Sequence, residues 1–420
     1  VNITTINVRS GGMLTHSANT NTQTFALNFT VHNLTIETGG AINATGKGYT
    51  EDSGNGAGGN GEGIGSAGGA GYGGKGGNSD GTPQGGSSYG SITMPIDLGS
   101  GGGGGYGQAN SGGTGGGAVF INVTGTLNVT GIIVSDGTNG GGSTYGAGGG
   151  AGGSIYIIAN NFTGSGSINA SGGGGKDESI ADGGGGSGGR IAIYYATKTF
   201  NGIIQAFGGT ATSPAKAGAT GTIFQQQTGT NGELIIDNTR GDATAITPVN
   251  SSLGGNVVDI FNASSATIRG DFITVTNKTY FSSGIVYMDA KLNGTSNVTV
   301  FKDAVLTYTA NSNFSINITA ANMIIVFGGM INATGKGYAG GSATSAGSGP
   351  GGGAAGISCV SGQDGAGAGY GGKGGNSGAP NAGGSSYGSI TVPIYLGSGG
   401  GGGGACAADT GGGGGGAVFI

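Results

Sequence analysis

The chain has 420 residues, of which 110 are glycine and only 8% are charged; tryptophan is absent and the formal net charge is −5. This composition argues against a compact enzyme with a large aromatic core, and so little charge forms neither a basic stripe for nucleic acid nor an acidic tail. No run of about 18 apolar residues occurs, so no membrane span is expected in this window.

The chain opens Val1-Asn2-Ile3 without a methionine or a signal-type apolar stretch, which reads as a mature, processed or windowed sequence. The segment LTHSANTN at Leu14 precedes the octapeptide INATGKGY at Ile42–Tyr49, and the glycine-rich stretch GYGGKGGNS begins at Gly71. Next come four apolar-alternating segments, AVFI at Ala118, SIYI at Ser154, RIAI at Arg190 and TIFQ at Thr222, spaced 36, 36 and 32 residues. Alternation marks strands, and positions that recur between segments mark stacking. One column is therefore Val119, Ile155 and Ile191, and the next is Ile121, Ile157 and Ile193. A third is expected at Ile132, Ile168 and Ile204, followed by Val134, Ala170 and Ala206.

Each coil of about 36 residues then reads as a strand, a tight turn, a second strand and a glycine-rich arc. The expected fold is all-β: a right-handed parallel β-helix, a solenoid whose coils bury apolar columns by stacking on their neighbours. The arc from Gly137 to Gly153 is too long for a turn. Glycine runs can form an extended threefold helix close to polyproline II, rising about 3.1 Å per residue. Such polyglycine II-like helices pack through backbone and Cα–H···O contacts, which is how long arcs can be ordered. Residues 118–225 hold the clearest coils, and 246–292 lacks the arcs and reads as a β-rich variant or small side module.

From residue 293 the N-terminal pattern returns. LTYTANSN at Leu306 answers LTHSANTN, the octapeptide recurs at Ile331–Tyr338, and 28 of 35 letters match between Gly71–Gly105 and Gly369–Gly403. AVFI recurs at Ala417–Ile420. Residues 1–292 are thus a first tandem repeat and 293–420 a partial second copy equivalent to 1–121. The second copy stops in mid-strand without a polar cap, which reads as a window from a longer array.

The strongest functional signal is Asn-X-Ser/Thr. Sixteen sequons occur, at Asn2, Asn28, Asn33, Asn43, Asn122, Asn128, Asn161, Asn169, Asn250, Asn262, Asn277, Asn293, Asn297, Asn313, Asn317 and Asn332. On a strand, Asn122-Val123-Thr124 puts Asn and Thr on one face and Val on the other, so the asparagine points outward where an N-glycan attaches. The competing reading is that Asn and Thr simply decorate solvent-facing strand positions. The two cysteines, Cys359 and Cys406, both lie in the second copy and have no counterparts in the first, which suggests a disulfide pair in an oxidising compartment.

Other signals are weaker. Arg240-Gly241-Asp242 and Arg269-Gly270-Asp271 spell an adhesion tripeptide but read better as charged turns. Of the two histidines, His16 is Tyr308 in the second copy, and His32 has no catalytic company. Asp177, Glu178 and Asp182, near Lys176 and Arg190, are the one patch imaginable as paired carboxylates or a calcium site, although it lies in an arc without counterparts in neighbouring coils. No phosphate-loop motif occurs. Catalytic residues, metal ligands and cofactors are not expected.

With GGSIYIIANNFTGSGSINASGG at Gly152, GGRIAIYY at Gly188 and GELIIDN at Gly232, the chain resembles glycine-rich tandem-repeat surface proteins of archaea and bacteria. The resemblance covers most of the chain outside residues 246–292. It implies a secreted, N-glycosylated parallel β-helix at the cell surface: a filament subunit, sheath component or adhesin without catalysis. The expected function is the structural body of an extracellular filament or sheath, partnered by copies of itself through axial stacking. A carbohydrate-binding stalk is the alternative, and a polysaccharide-active β-helix enzyme stands behind both.

Overall fold

A computed structural model describes residues 4–63, 65–81, 83–107, 111–239, 245–249, 257–310, 314–357, 364–378, 381–404 and 409–420. Among these residues the fold is all-β, with no helix and mostly parallel sheets. Two compact units are present. The first comprises Val1–Val286 with Gly294–Ala304 and Ala321–Gly328, and the second comprises Tyr287–Asn293, Val305–Ala320 and Gly329–Ile420.

In the first unit the early strands are β1 (Thr5–Val8), β2 (Met13–Leu14), β3 (Leu27–Val31), β4 (Asn33–Ile36) and β5 (Ala41–Asn43). Long and short strands then alternate: β6 (Ala118–Val129), β7 (Ile132–Val134), β8 (Ser154–Gly164), β9 (Ser167–Asn169), β10 (Arg190–Lys198), β11 (Ile203–Gln205), β12 (Thr222–Gln227) and β13 (Glu233–Asp237). The long strands form one sheet in the order β1-β4-β6-β8-β10-β12-β13, with β3 also pairing β6, and the short ones form another in the order β2-β5-β7-β9-β11. Every one of these pairings is parallel except β12 with β13. Ile191 pairs Ile155 in the first sheet and Ile204 pairs Ile168 in the second, so from β8 to β10 and from β9 to β11 the two sheets advance by the same 36 residues.

Strand alternation sends every second side chain into one core. Val119, Ile155, Ile191 and Ile223 stack in one column, and Ile121, Ile157 and Ile193 in the next, all buried in a single cluster. Each fully buried isoleucine contributes roughly 1.5–3 kcal/mol relative to an exposed one. Phe162 and Phe200 stack at 4.5 Å with planes 12° apart and continue the core.

The third expected column is shifted by one residue. β6 pairs Val123 with Ala159 but Thr126 with Asn161, so Thr124 and Gly125 together face one residue of β8. That bulge absorbs a residue and changes the spacing from 36 to 35. Ile133 therefore pairs Ile168 in place of Ile132, and Val134 pairs Asn169 rather than Ala170. Ile133 is 0% exposed and Ile132 43%.

The arcs between strands are held by backbone hydrogen bonds with a three-residue period. Gly146, Gly149 and Gly152 donate to Ala181, Gly184 and Ser187 (2.8, 3.0 and 2.9 Å). The intervening Ala147, Gly150 and Gly153 donate to Gly141, Thr138 and Ser135, while Gly148 and Ala151 donate to Gly103 and Ser100. One extended segment thus bonds three neighbours in rotation, as a threefold screw requires. A Cβ on Gly149 would sit 2.0 Å from Gly173 O and one on Gly184 2.0 Å from Gly77 O. Glycine is therefore demanded here by the closeness of neighbouring carbonyls.

The chain continues through β14 (Ile246–Pro248), β15 (Val257–Ser264), the long β16 (Thr267–Gly294) and β17 (Asn297–Val300), then β18 (Ala304–Thr307), β19 (Ile316–Asn317), β20 (Asn322–Ile325), β21 (Met330–Ile331) and β22 (Val418–Phe419). The second unit repeats pairings of the first at equivalent residues. Leu306 pairs Ile331 as Leu14 pairs Ile42, and Asn317 pairs Phe419 as Asn28 pairs Phe120.

Candidate functional site

Among the described residues, every sequon asparagine but Asn332 lies on a strand. Asn2, Asn250 and Asn313 lie outside the described residues, and none of the other sequon asparagines is buried. Asn28, Asn277 and Asn297 are exposed; Asn33, Asn43, Asn122, Asn128, Asn161, Asn169, Asn262, Asn293, Asn317 and Asn332 are half-buried. Alternation explains this, because the residues beside them, such as Val123, Leu127 and Phe162, fill the core.

Several of these asparagines have their amides engaged in ladders across strands. Asn7, Thr35, Asn128 and Thr163 fall in one row, and Thr126, Asn161 and Thr197 in another. Thr197 Oγ1 donates to Asn161 Oδ1 at 2.7 Å, and Asn33 Oδ1 accepts Thr126 N–H at 3.0 Å. Asn169 Nδ2 donates to Asp136 Oδ2 and Ser171 N–H to Asp136 Oδ1, both at 2.7 Å. Burial pushes the Asp136 carboxyl up to about 6, against the opposing pull of the Ser171 N–H. The octapeptide bends identically in both copies, with Asn43 Oδ1 accepting Thr45 N–H and Asn332 Oδ1 accepting Thr334 N–H, each at 2.9 Å.

A second constellation joins the glycine layer to the long strands, and no sequence motif points to it. Arg190, the first residue of β10, is 1% exposed. Its Nε donates to Tyr89 O at 2.9 Å, Nη1 donates to Thr222 Oγ1 at 3.2 Å, and the guanidinium lies 5.7 Å from the Tyr72 ring centre. The Tyr72 hydroxyl shares a 2.6 Å hydrogen bond with Ser154 Oγ, which itself contacts Asp97 O at 2.5 Å. Burial depresses the Arg190 pKa, opposed by Tyr72, Tyr89 and Asp97, and burial raises Asp97, opposed by Arg190. The sequence hints at this node only through the two tyrosines that recur at Tyr370 and Tyr387.

Arg190 therefore does not belong with the acidic patch. Lys176 pairs Glu178 at 3.0 Å, Asp182 Oδ1 accepts Glu178 N–H at 3.0 Å, and Asp80, distant in sequence, accepts Asp182 N–H at 2.8 Å. These carboxylates tie backbone turns together, and among the described residues no three His, Cys, Asp or Glu side chains are grouped to hold a metal ion. His16 is buried with Nδ1 2.8 Å from Ser17 O, and its replacement Tyr308 accepts Ala417 N–H at 2.8 Å. His32 contacts Thr124 Oγ1 at 3.1 Å. Arg269-Gly270-Asp271 lies within β16, a strand in place of the expected turn, with Arg269 paired to Pro248 of β14. Arg240–Asp242, Cys359 and Cys406 lie outside the described residues. No helix among the described residues is long and apolar enough to cross a membrane.

Comparison with known proteins gives no match to any family model, curated protein or solved structure.

Proposed function

We propose that this chain is the structural body of an extracellular filament or sheath, built as a right-handed parallel β-helix with polyglycine II-like arcs. The observation that carries the reading is the shared 36-residue advance of the two parallel sheets, with Ile155–Ile191 in one and Ile168–Ile204 in the other. A chain that climbs by one coil while keeping both sheets in register is a solenoid, and parallel crossovers are overwhelmingly right-handed. Arcs that bond three neighbours in rotation fit a polyglycine II lattice.

Such a body extends by repetition. The second unit reuses the pairings of the first, so each further repeat offers the strands that the previous one stacks on. Sequons on non-buried positions suit covalent N-glycans, which would keep the fibre soluble and block sideways strand pairing where charge is scarce. A Cys359–Cys406 disulfide would clip the second copy's arcs. Electron microscopy of the native material, with carbohydrate staining, tests the reading: glycosylated fibres or a sheath are expected, and discrete monomers would overturn it.

A further inference from the structure

Two core columns of the first unit end in polar residues. Ile121, Ile157 and Ile193 are followed in register by Gln225, and Leu34, Leu127 and Phe162 are followed by Lys198. Gln225 is 6% exposed, an amide where its predecessors are isoleucines. Phe200 is buried and stacks on Phe162, so the core beside Lys198 is filled by an aromatic ring and the lysine turns toward Gln225. Lys198 Nζ lies 2.5 Å from Gln225 Oε1, the only hydrogen bond of that glutamine side chain among the described residues. A carbonyl bond is about 1.23 Å long, so Nζ is no more than about 3.7 Å from the amide carbon Cδ. Glu233 of β13 stands directly opposite Gln225 in the antiparallel pair and therefore on the same face. It is not ion-paired with Lys198. The Tyr195 ring, 5.9 Å from Nζ, completes the surroundings.

An amine held against an amide carbonyl, with a half-buried carboxyl group opposite the amide and no ion pair fixing the two charges, is the arrangement that acyl transfer needs. We propose that Lys198 and Gln225 join in an isopeptide bond, with Glu233 carrying the protons. The Lys198 nitrogen attacks Cδ of Gln225; the new N–C bond forms as the Cδ–Nε2 bond breaks, and Nε2 leaves as ammonia. Glu233 takes the proton that the lysine nitrogen gives up and passes it to Nε2, so the carboxyl group ends as it began and nothing is oxidised or reduced. The surroundings favour the neutral forms. Burial lowers the Lys198 pKa against the pull of Glu233, and burial raises Glu233 against the pull of Lys198. The uncharged amine is the form that attacks. Lys198 sits at the exposed rim of the pair, which leaves ammonia a way out. The bond ties β10 to β12 across 27 residues, at the coil where parallel stacking gives way to the antiparallel pair of β12 and β13. Such a tie locks the end of the regular stack covalently, whatever larger assembly the chain enters.

The test is mass spectrometry of the full folded chain, intact and after trypsin, followed over time from synthesis. The expected mass is one ammonia below that of the sequence, and trypsin should release residues 191–216 and 217–240 as one branched species joined at Lys198 and Gln225. Glu233→Gln should keep its ammonia, with the bond forming roughly a hundredfold more slowly. Glu233→Asp, which restores a carboxylate, should regain part of the rate. A parent chain of full sequence mass overturns the proposal, as does an ammonia loss that maps to an asparagine–glycine pair such as Asn201-Gly202. Bond formation at the parent's rate in Glu233→Gln overturns the part given to Glu233. None of these outcomes depends on whether the native material is fibrous, so the two readings fail separately.

Discussion

Gly149 donates its amide hydrogen to the carbonyl of Gly184 at 3.0 Å, and the Cα of Gly184 in turn lies so close to Gly77 that a methyl group would come within 2.0 Å of its carbonyl oxygen. The layer is thus packed backbone to backbone, and its order is a property of glycine's missing side chain. Paired substitutions expose this. Gly77→Ala would place a carbon 1.8 Å from Lys216 O, while its repeat counterpart Gly375 has open space. Gly77→Ala is expected to cost about 1–3 kcal/mol, as overpacking does, and Gly375→Ala to be neutral or slightly stabilising. Urea denaturation of the two variants measures the difference; equal effects would contradict backbone packing as the source of order.

Much of this architecture is legible in the sequence, because apolar side chains report their own stacking. Val119, Ile155 and Ile191 announce their column through spacing alone. Alternation misplaces the third column at Ile132, because a two-for-one bulge at Thr124 and Gly125 leaves no mark in the hydrophobic pattern. The threefold bonding of the arcs is visible only as a permitted form, since glycine carries nothing that shows direction. Nearness in sequence groups Arg190 with Asp177, Glu178 and Asp182, yet the fold takes it to Tyr72 and Tyr89, more than 100 residues away. Asn122, Asn128 and Asn161 are non-buried strand positions as alternation requires, but the ladders joining Asn161 to Thr197 depend on which strands are neighbours.

Arg190 is a buried cation held by carbonyls, a hydroxyl and an aromatic face. Arg190→Met should lower stability by about 1–3 kcal/mol, because Tyr89 O is left without its donor. Arg190→Lys should not restore it, since an ammonium cannot reproduce the guanidinium's fork. The denaturation midpoints of both variants decide this, and an unchanged midpoint for Arg190→Met would contradict it.

Asp136 links pH to stability. Its folded pKa, about 6, lies above the ordinary aspartate value of 3.8. The folded state therefore holds the proton more tightly, so the contribution is fully present below about pH 4 and is lost as pH rises through about 6. The loss should amount to roughly 1–3 kcal/mol. Thermal unfolding between pH 3 and 8 should show a steeper decline in the parent chain than in Asp136→Asn, since Asp97 and Glu233 are also raised by burial and titrate in both; an identical profile in both would rule the assignment out.

Sequon occupancy should follow exposure and amide engagement. Asn28, Asn277 and Asn297 are exposed, whereas the Asn169 amide is bound to Asp136 at 2.7 Å. Glycopeptide mass spectrometry of native material should find the first three more fully modified than Asn169. A higher occupancy at Asn169 would contradict the reading.

The central claim is that coils stack along a fibre axis through their apolar columns. A high-resolution electron cryomicroscopy map of the native assembly tests it most directly. The expected map shows Val119, Ile155 and Ile191 rising in steps of about 4.8 Å along the axis, the spacing of hydrogen-bonded strands, with continuous stacking from one repeat to the next. Strands running parallel to the fibre axis, or separate particles without axial contact between repeats, would contradict it.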